Sequence, residues 1–171
     1  MKGRHSKVYL VGPLAVKIFK PGLEANALKE WKFLRKLRRT GIAPIPYFKL
    51  GRMVAMERIY GKPVRDMLPD EFRAAAPDFL KALHTLDRLS IQKEECHRPD
   101  KHFIKTAGGV RLIDFERARE KARPSNVTQF LQALDSAFPG IAGFGRQYKS
   151  DYDLAPILGF VRARLASFGT A

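Results

Sequence analysis

A lysine in the β-branched run Ala15-Val16-Lys17-Ile18 is followed 13 residues later by Glu30, inside a helical pattern. This arrangement lets an ammonium hold phosphate oxygens while a carboxylate orients it. Far along the chain, Asp114 ends Leu112-Ile113-Asp114-Phe115 at the exit of a hairpin pattern. A carboxylate there can hold Mg²⁺ against the β- and γ-phosphates of a nucleotide, because hard oxygen ligands suit that ion. Ahead of the first strand-like run, Gly3-Arg4-His5-Ser6 brings a glycine and a serine to where backbone N–H groups and a hydroxyl can meet triphosphate oxygens. Met56-Glu57-Arg58-Ile59, just before Gly61, has the place of a hinge whose main-chain groups can pair with adenine, Glu57 and Ile59 acting through backbone.

These groups need elements that bring them together. Lys7 to Val11 and Leu14 to Phe19 read as two strands broken by Gly12-Pro13. From Leu23 to Arg39, Leu23, Ala27, Trp31, Leu34 and Leu37 recur at helical spacing, and Gly41 ends the helix. Tyr47 to Leu50 and Met53 to Ile59 form another hairpin, which completes a small sheet flanked by one helix. Tyr60-Gly61-Lys62-Pro63 reads as a linker. Asp70 to Leu89 is helical despite Pro77, with Phe79, Leu80, Leu83 and Leu86 as its buried stripe. A glycine pair then separates Phe103 to Thr106 from Val110 to Phe115, the clearest hairpin in the chain. Asn126 is placed to cap a helix through Leu134, and Tyr148 to Phe168 forms a last helix. The expectation is an α+β fold in two lobes, residues 1–60 and residues 61–171.

Of 171 residues, 45% are hydrophobic and 29% charged, which excludes a disordered or collagenous chain. No apolar run approaches the roughly 20 residues that cross a bilayer. The single cysteine, Cys96, has no partner for a disulfide and points to a reducing, cytoplasmic setting. A monomer is expected. Lys and Arg total 32 against 17 Asp and Glu, a net charge of +15, and residues 1–60 alone carry +11. This asymmetry predicts a phosphate-rich macromolecular partner. Lys29, Lys32, Arg35, Lys36 and Arg39 on the first helix, with Arg117, Arg119, Lys121 and Arg123, are the candidate RNA contacts.

Taken together, Gly3 to Tyr9, Val16-Lys17, Glu30 to Pro46, Met56-Glu57 to Gly61 and Leu112 to Phe115 resemble the small atypical kinases of the RIO and Bud32 type. The spacing of Glu30, Leu34, Gly41-Ile42, Pro44 and Pro46 is similar to their regulatory helix and the turn after it, and the resemblance spans about residues 3 to 135. Arg98-Pro99-Asp100-Lys101-His102, Ile113-Asp114-Phe115-Glu116-Arg117-Ala118 and Asn126-Val127-Thr128 resemble the signature of an archaeal group of short RIO-like kinases. Some members of that group phosphorylate the ribose 2′-hydroxyl of a uridine in the tRNA variable region. The resemblance therefore implies a reduced two-lobed kinase fold, ATP as phosphoryl donor, Mg²⁺ (or Mn²⁺) as metal and tRNA as acceptor.

The departures from the family are informative. Its His-x-Asp triplet, with asparagine five residues after the Asp, is missing from Lys93 to His102. If His102 takes the asparagine's place, counting back puts His97 at the aspartate, whereas aligning Ile91 puts Glu95 there with a loop two residues longer. Glu95, His97 and Asp100 can each accept the proton of an attacking hydroxyl. Arg98 and Lys101 can steady the γ-phosphate. His102 can join Asp114 at the metal, bond a phosphate or favour Mn²⁺, imidazole being softer than an amide oxygen. Glu116 stands where many kinases have glycine, which argues against a flipping activation switch. The 11 residues between Asp114 and Asn126 leave little room for a peptide platform. The first reading is an ATP-dependent RNA kinase; a Ser/Thr protein kinase and an inactive RNA-binding module of the same fold are the alternatives.

Overall fold

The computed structural model describes residues 5–168. Strands β1 (Ser6–Val11) and β2 (Leu14–Phe19) form a hairpin. Its two-residue turn places Gly12 at φ +54°, the left-handed backbone such a turn asks of its first central residue. Strands β3 (Pro46–Leu50) and β4 (Met53–Glu57) form a second hairpin, and β4 pairs with β2, so the antiparallel sheet runs β1-β2-β4-β3. Helix α1 (Glu24–Leu37) buries Ala27, Glu30, Phe33, Leu34 and Leu37. A carboxylate thus sits in the stripe that seals the helix, while Trp31 is only half-buried.

The linker expected at Tyr60 to Pro63 is more than a connection. Its β5 (Lys62–Pro63) pairs with β7 (Phe103–Thr106), which pairs with β8 (Gly109–Leu112) in a three-stranded sheet. A Cβ on Gly61 would lie 2.3 Å from the Lys105 carbonyl oxygen, so only glycine fits this crossing. Helix α2 (Pro69–Arg88) presents Phe79, Leu80, Leu83 and Leu86 to the core, as its apolar period predicts. Phe79 packs against Phe72, Phe103 and Phe130 at ring separations of 5.6 Å. Short β6 (Ile91–Gln92) pairs with β9 (Arg119–Glu120), tying together the two loops that flank the β7–β8 hairpin.

Two expectations for the C-terminal half are corrected. Asn126 does not cap helix α3 (Asn126–Leu134); it is a fully buried hub at its start. Its amide donates to Asp87 Oδ1 at 2.7 Å and to the Ile91 carbonyl at 2.6 Å, and its Oδ1 accepts the Lys93 N–H at 2.8 Å. The last helix is two, α4 (Gly145–Asp151) and α5 (Ala155–Phe168). Tyr152 at φ +56° ends the first, its hydroxyl bound to the Pro124 carbonyl at 2.9 Å. Asp153 accepts the Ala155 N–H and Pro156 lies in the first turn, a helix-start signal strong enough to break the apolar periodicity. Among the described residues, no helix is long and apolar enough to cross a membrane.

Candidate active site

Strand β2 alternates Ala15, Lys17 and Phe19 onto the face that α1 covers. Helical spacing aims Glu30 at the same point, and Lys17 donates to Glu30 Oε2 at 2.5 Å, with both residues buried. The same ammonium donates to Asp114 Oδ1 at 2.9 Å and lies 3.1 Å from Glu116 Oε2. A residue from the first hairpin, one from the first helix and two from the segment after β8 therefore converge. Burial alone would lower the Lys17 ammonium, but Glu30 and Asp114 outweigh it and hold its pKa above the usual lysine range. Burial pushes the Glu30 carboxyl up against the pull of Lys17. Asp114 goes the other way: the attraction of Lys17 and Lys93 exceeds its burial penalty and holds it down. Glu116 also accepts from His5 Nδ1 at 2.7 Å, which ties the start of β1 to the Asp114 segment.

A cavity of about 420 Å³ opens beside this cluster, lined by His5, Ser6, Lys93, Glu94, Glu95, Lys101, His102, Asp114, Glu116 and Arg117 together with Ala118. Ser6 stands where the sequence calls for a phosphate-binding hydroxyl; Gly3 lies outside the described residues. Glu95 Oε2 lies 3.7 Å from Lys101 Nζ and 3.5 Å from His102 Nε2. Despite its slight burial, the Lys101 ammonium and the His102 imidazole beside it hold Glu95 below the ordinary carboxylate range. His102 Nδ1 is 3.7 Å from Asp114 Oδ2, and burial, with Lys93 nearby, lowers the pKa of its imidazole. Glu95 and Asp114 both adopt positive φ, +59° and +65°, an uncommon backbone for residues with a Cβ and one that clusters at functional sites.

Not every candidate reaches the cavity. His97 lines a separate, more open hollow with Val64, Met67, Phe72 and Pro99, and Asp100, in a 3₁₀ turn (Pro99–Lys101), lines neither. Met56, Glu57 and Ile59 also lie off the cavity wall, with Met56 in the core. Glu57, expected to act through backbone, also has its side chain engaged. Its carboxylate receives both oxygens' bonds from Arg111 of β8, at 2.7 and 2.8 Å, and accepts the Ile45 N–H at 3.1 Å. Lys93 is a functional candidate that sequence reasoning misses altogether. It is 2% exposed and donates to the Asp114 carbonyl at 2.6 Å, and burial lowers its pKa. Nothing in its spacing marks it; only the fold turns its side chain into the cavity.

The basic residues divide. Lys32 and Lys36 reach Glu120 Oε1 at 3.3 and 3.6 Å, and Arg117 and Arg119 reach Glu94 at 3.8 and 3.5 Å. Among the described residues, Lys29, Arg35, Arg39, Lys121 and Arg123 form no ion pair. Glu120 belongs to β9, so its two ion pairs place the segment of Arg117 to Arg123 beside α1.

No family model matches the chain, and no curated protein matches its sequence. Solved structures do match in shape. The Rio2 kinase of Chaetomium thermophilum, in its ADP/Mg²⁺-phosphoaspartate complex, superposes with a TM-score of 0.61 at 15% identity, over 89% of this chain and 54% of that one. The Lpg2603 kinase of Legionella pneumophila bound to IP6 gives 0.56 at 15% identity, over 88% of this chain and 66% of that one. The chain thus spans between half and two thirds of the length of these kinases. With its four-stranded sheet and single helix ahead of a mainly helical second part, it has a reduced, two-lobed kinase-like fold.

Proposed function

We propose that this protein is an ATP- and Mg²⁺-dependent phosphotransferase whose acceptor is a ribose 2′-hydroxyl of structured RNA, tRNA being the favoured substrate. The observation that carries the phosphotransferase reading is the Lys17 ammonium, held at 2.5 Å by Glu30 and at 2.9 Å by Asp114, beside a cavity of about 420 Å³. The Rio2 kinase, similar in fold, forms a complex with ADP and Mg²⁺, which supports the same nucleotide and metal here. Lys17 already bridges Glu30, Asp114 and Glu116, so Mg²⁺ would be held from the other carboxylate oxygen of Asp114, Oδ2, a hard donor on the cavity wall with His102 beside it. Bound there, Mg²⁺ would neutralise charge on the β- and γ-phosphates.

This chain's residues then have the following work. Lys17 holds phosphate oxygens, and Ser6 and the backbone beside it cover them. The acceptor hydroxyl oxygen bonds to the γ-phosphorus, and the bond from that phosphorus to the β–γ bridging oxygen breaks, leaving its electron pair on ADP. The hydroxyl proton passes to Glu95, the loop carboxylate that lines the cavity and is kept ionised by Lys101 and His102. That placement favours Glu95 over His97 and Asp100 as proton acceptor.

The RNA acceptor rests on the net charge of +15, on the basic residues of α1 and of residues 117–123, which the Glu120 ion pairs bring side by side, and on the resemblance to the archaeal tRNA kinases. Incubation with γ-labelled ATP and total tRNA tests it. Label in RNA, lost in Asp114→Ala, is the expected outcome. Label confined to protein refutes the RNA acceptor, and label in neither refutes the enzyme.

A further inference from the structure

The chain holds two buried lysines beside one cavity, and they are compensated very differently. Lys17 has three carboxylates within 3.1 Å. Lys93, only 2% exposed, has the Asp114 carbonyl oxygen at 2.6 Å and the Phe115 ring at 5.0 Å. Among the described residues, no carboxylate pairs with it. An ammonium can donate three hydrogen bonds, and here one goes to a neutral carbonyl while the charges of Asp114 and Glu30 act on it without direct contact, which leaves burial the larger effect.

The backbone shows that this placement is built rather than accidental. The Lys93 N–H is held by Asn126 Oδ1 at 2.8 Å, and its carbonyl accepts Gln92 Nε2 at 3.0 Å. With the main chain fixed on both sides, the side chain runs along Phe115 into the cavity wall, next to Glu94, Glu95 and His102. The two ammoniums serve Asp114 from different atoms, Lys17 at its carboxylate and Lys93 at its carbonyl. Lys93 also belongs to the loop that carries Glu95, and both line the cavity.

We infer that Lys93 is a second phosphate-binding lysine, contacting the terminal phosphoryl oxygens of the bound nucleoside triphosphate and stabilising the charge they carry during transfer. This rests on the phosphotransferase reading above. An anion in the cavity supplies the partner that the protein withholds, and a desolvated cation aimed at equatorial phosphoryl oxygens acts where a loose transition state concentrates charge.

The test is Lys93→Met in the full chain, with the Mg²⁺ complexes of ADP and of a non-hydrolysable ATP analogue titrated calorimetrically into both proteins. The wild type should prefer the analogue; in the variant its affinity should fall about tenfold while that of ADP stays put, and turnover should fall about 100-fold. Thermal stability should hold or rise, because an apolar side chain of similar length replaces an uncompensated cation. Equal weakening of ADP and analogue would overturn the inference and make Lys93 a support for the Asp114 backbone. An unchanged preference for the analogue would overturn it too. Should the variant fail to fold, an acyl-phosphate of ATP, with the acyl group on its terminal phosphate, decides in the wild type. A lysine amine at that phosphate attacks the acyl carbon, forms an amide, expels the nucleotide and releases a proton. Label on Lys93 by peptide mass mapping supports the inference, and label on Lys17 or Lys101 alone overturns it. A wild type that binds neither nucleotide brings down the phosphotransferase reading and this inference with it.

Discussion

Removing the cation from the Lys17 cluster should harm the fold more than removing the closest of its anions. In Glu30→Gln the ammonium keeps Asp114 at 2.9 Å and Glu116 at 3.1 Å, and the new amide can still accept its hydrogen bond. The loss is then that of one charge-assisted bond, about 1.5–3 kcal/mol. In Lys17→Met, three carboxylates whose oxygens lie within 4.8 Å of one another lose their counterion, and Glu30 is 1% exposed. An uncompensated buried charge costs about 3–5 kcal/mol, or about 6–20 °C in melting temperature for a chain of this size. The same geometry makes the damage repairable, since a divalent cation can take the ammonium's place. Urea unfolding followed by circular dichroism, with and without millimolar Mg²⁺, measures both effects. Mg²⁺ should recover at least half of the Lys17→Met deficit and do little for Glu30→Gln. If Glu30→Gln is the less stable variant, or Mg²⁺ stabilises both equally, the cluster is not held together by the charge balance described.

Burial pushes the Cys96 thiol up to about 12, with its sulfur facing the Lys93 carbonyl and Asn126 Oδ1 at 3.5 and 3.4 Å. Iodoacetamide at pH 8 should therefore leave the native protein unmodified, with alkylation tracking the urea transition; rapid modification of native protein would contradict the packing. Because Glu120 draws Lys32 and Lys36 to itself, Glu120→Gln should tighten tRNA binding several-fold and steepen the salt dependence by about one phosphate contact. A filter-binding series over salt concentration reads this, and unchanged affinity would remove α1 from the RNA surface. Arg111 Nη2 reaches both carboxylate oxygens of Glu57 and so joins β8 to the end of β4, and a double-mutant cycle of Arg111→Ala with Glu57→Gln should return a coupling of about 1–2 kcal/mol. A coupling near zero would mean that the pair does not help hold the two sheets together.

What the sequence discloses here is what local patterns encode. The hairpin turn at Gly12-Pro13, the period of α1 and the glycine pair between β7 and β8 each rest on a few adjacent residues, and the structure has them where the patterns put them. Lys17, Glu30 and Asp114 are legible because their types, in that order on strand, helix and hairpin exit, answer one chemical need. Lys93 and the Asn126 hub are not. Lys93 matters because a residue 33 positions away pins its backbone, and Asn126 because it bonds to Asp87, Ile91 and Lys93 at once. Contacts of that range have no period. Asn126 reads as a cap because its type suits that position, but a fully buried amide bonds in four directions rather than to its own helix. The break between α4 and α5 carries a local signal in Asp153 and Pro156, outweighed by the apolar residues on either side.

Glu116 shows how the shortened chain keeps its site in order. A glycine at this position would leave the segment after Asp114 free to change its backbone; a carboxylate gives it two anchors, Lys17 at 3.1 Å and His5 at 2.7 Å. Both anchors come from the first hairpin region, so the start of β1 and the Asp114 segment are tied through one side chain. Farther along, β9 pairs with β6 and Glu120 reaches Lys32 and Lys36 of α1. Within the 11 residues from Asp114 to Asn126, the segment is thus bound to β2, to α1 and to the strand that precedes Lys93. A segment fixed at so many points is set by ionic contacts already present in the folded chain. Those contacts reach back to the first hairpin, the first helix and the strand ahead of Lys93, so substitution of Glu116 should disturb all three at once.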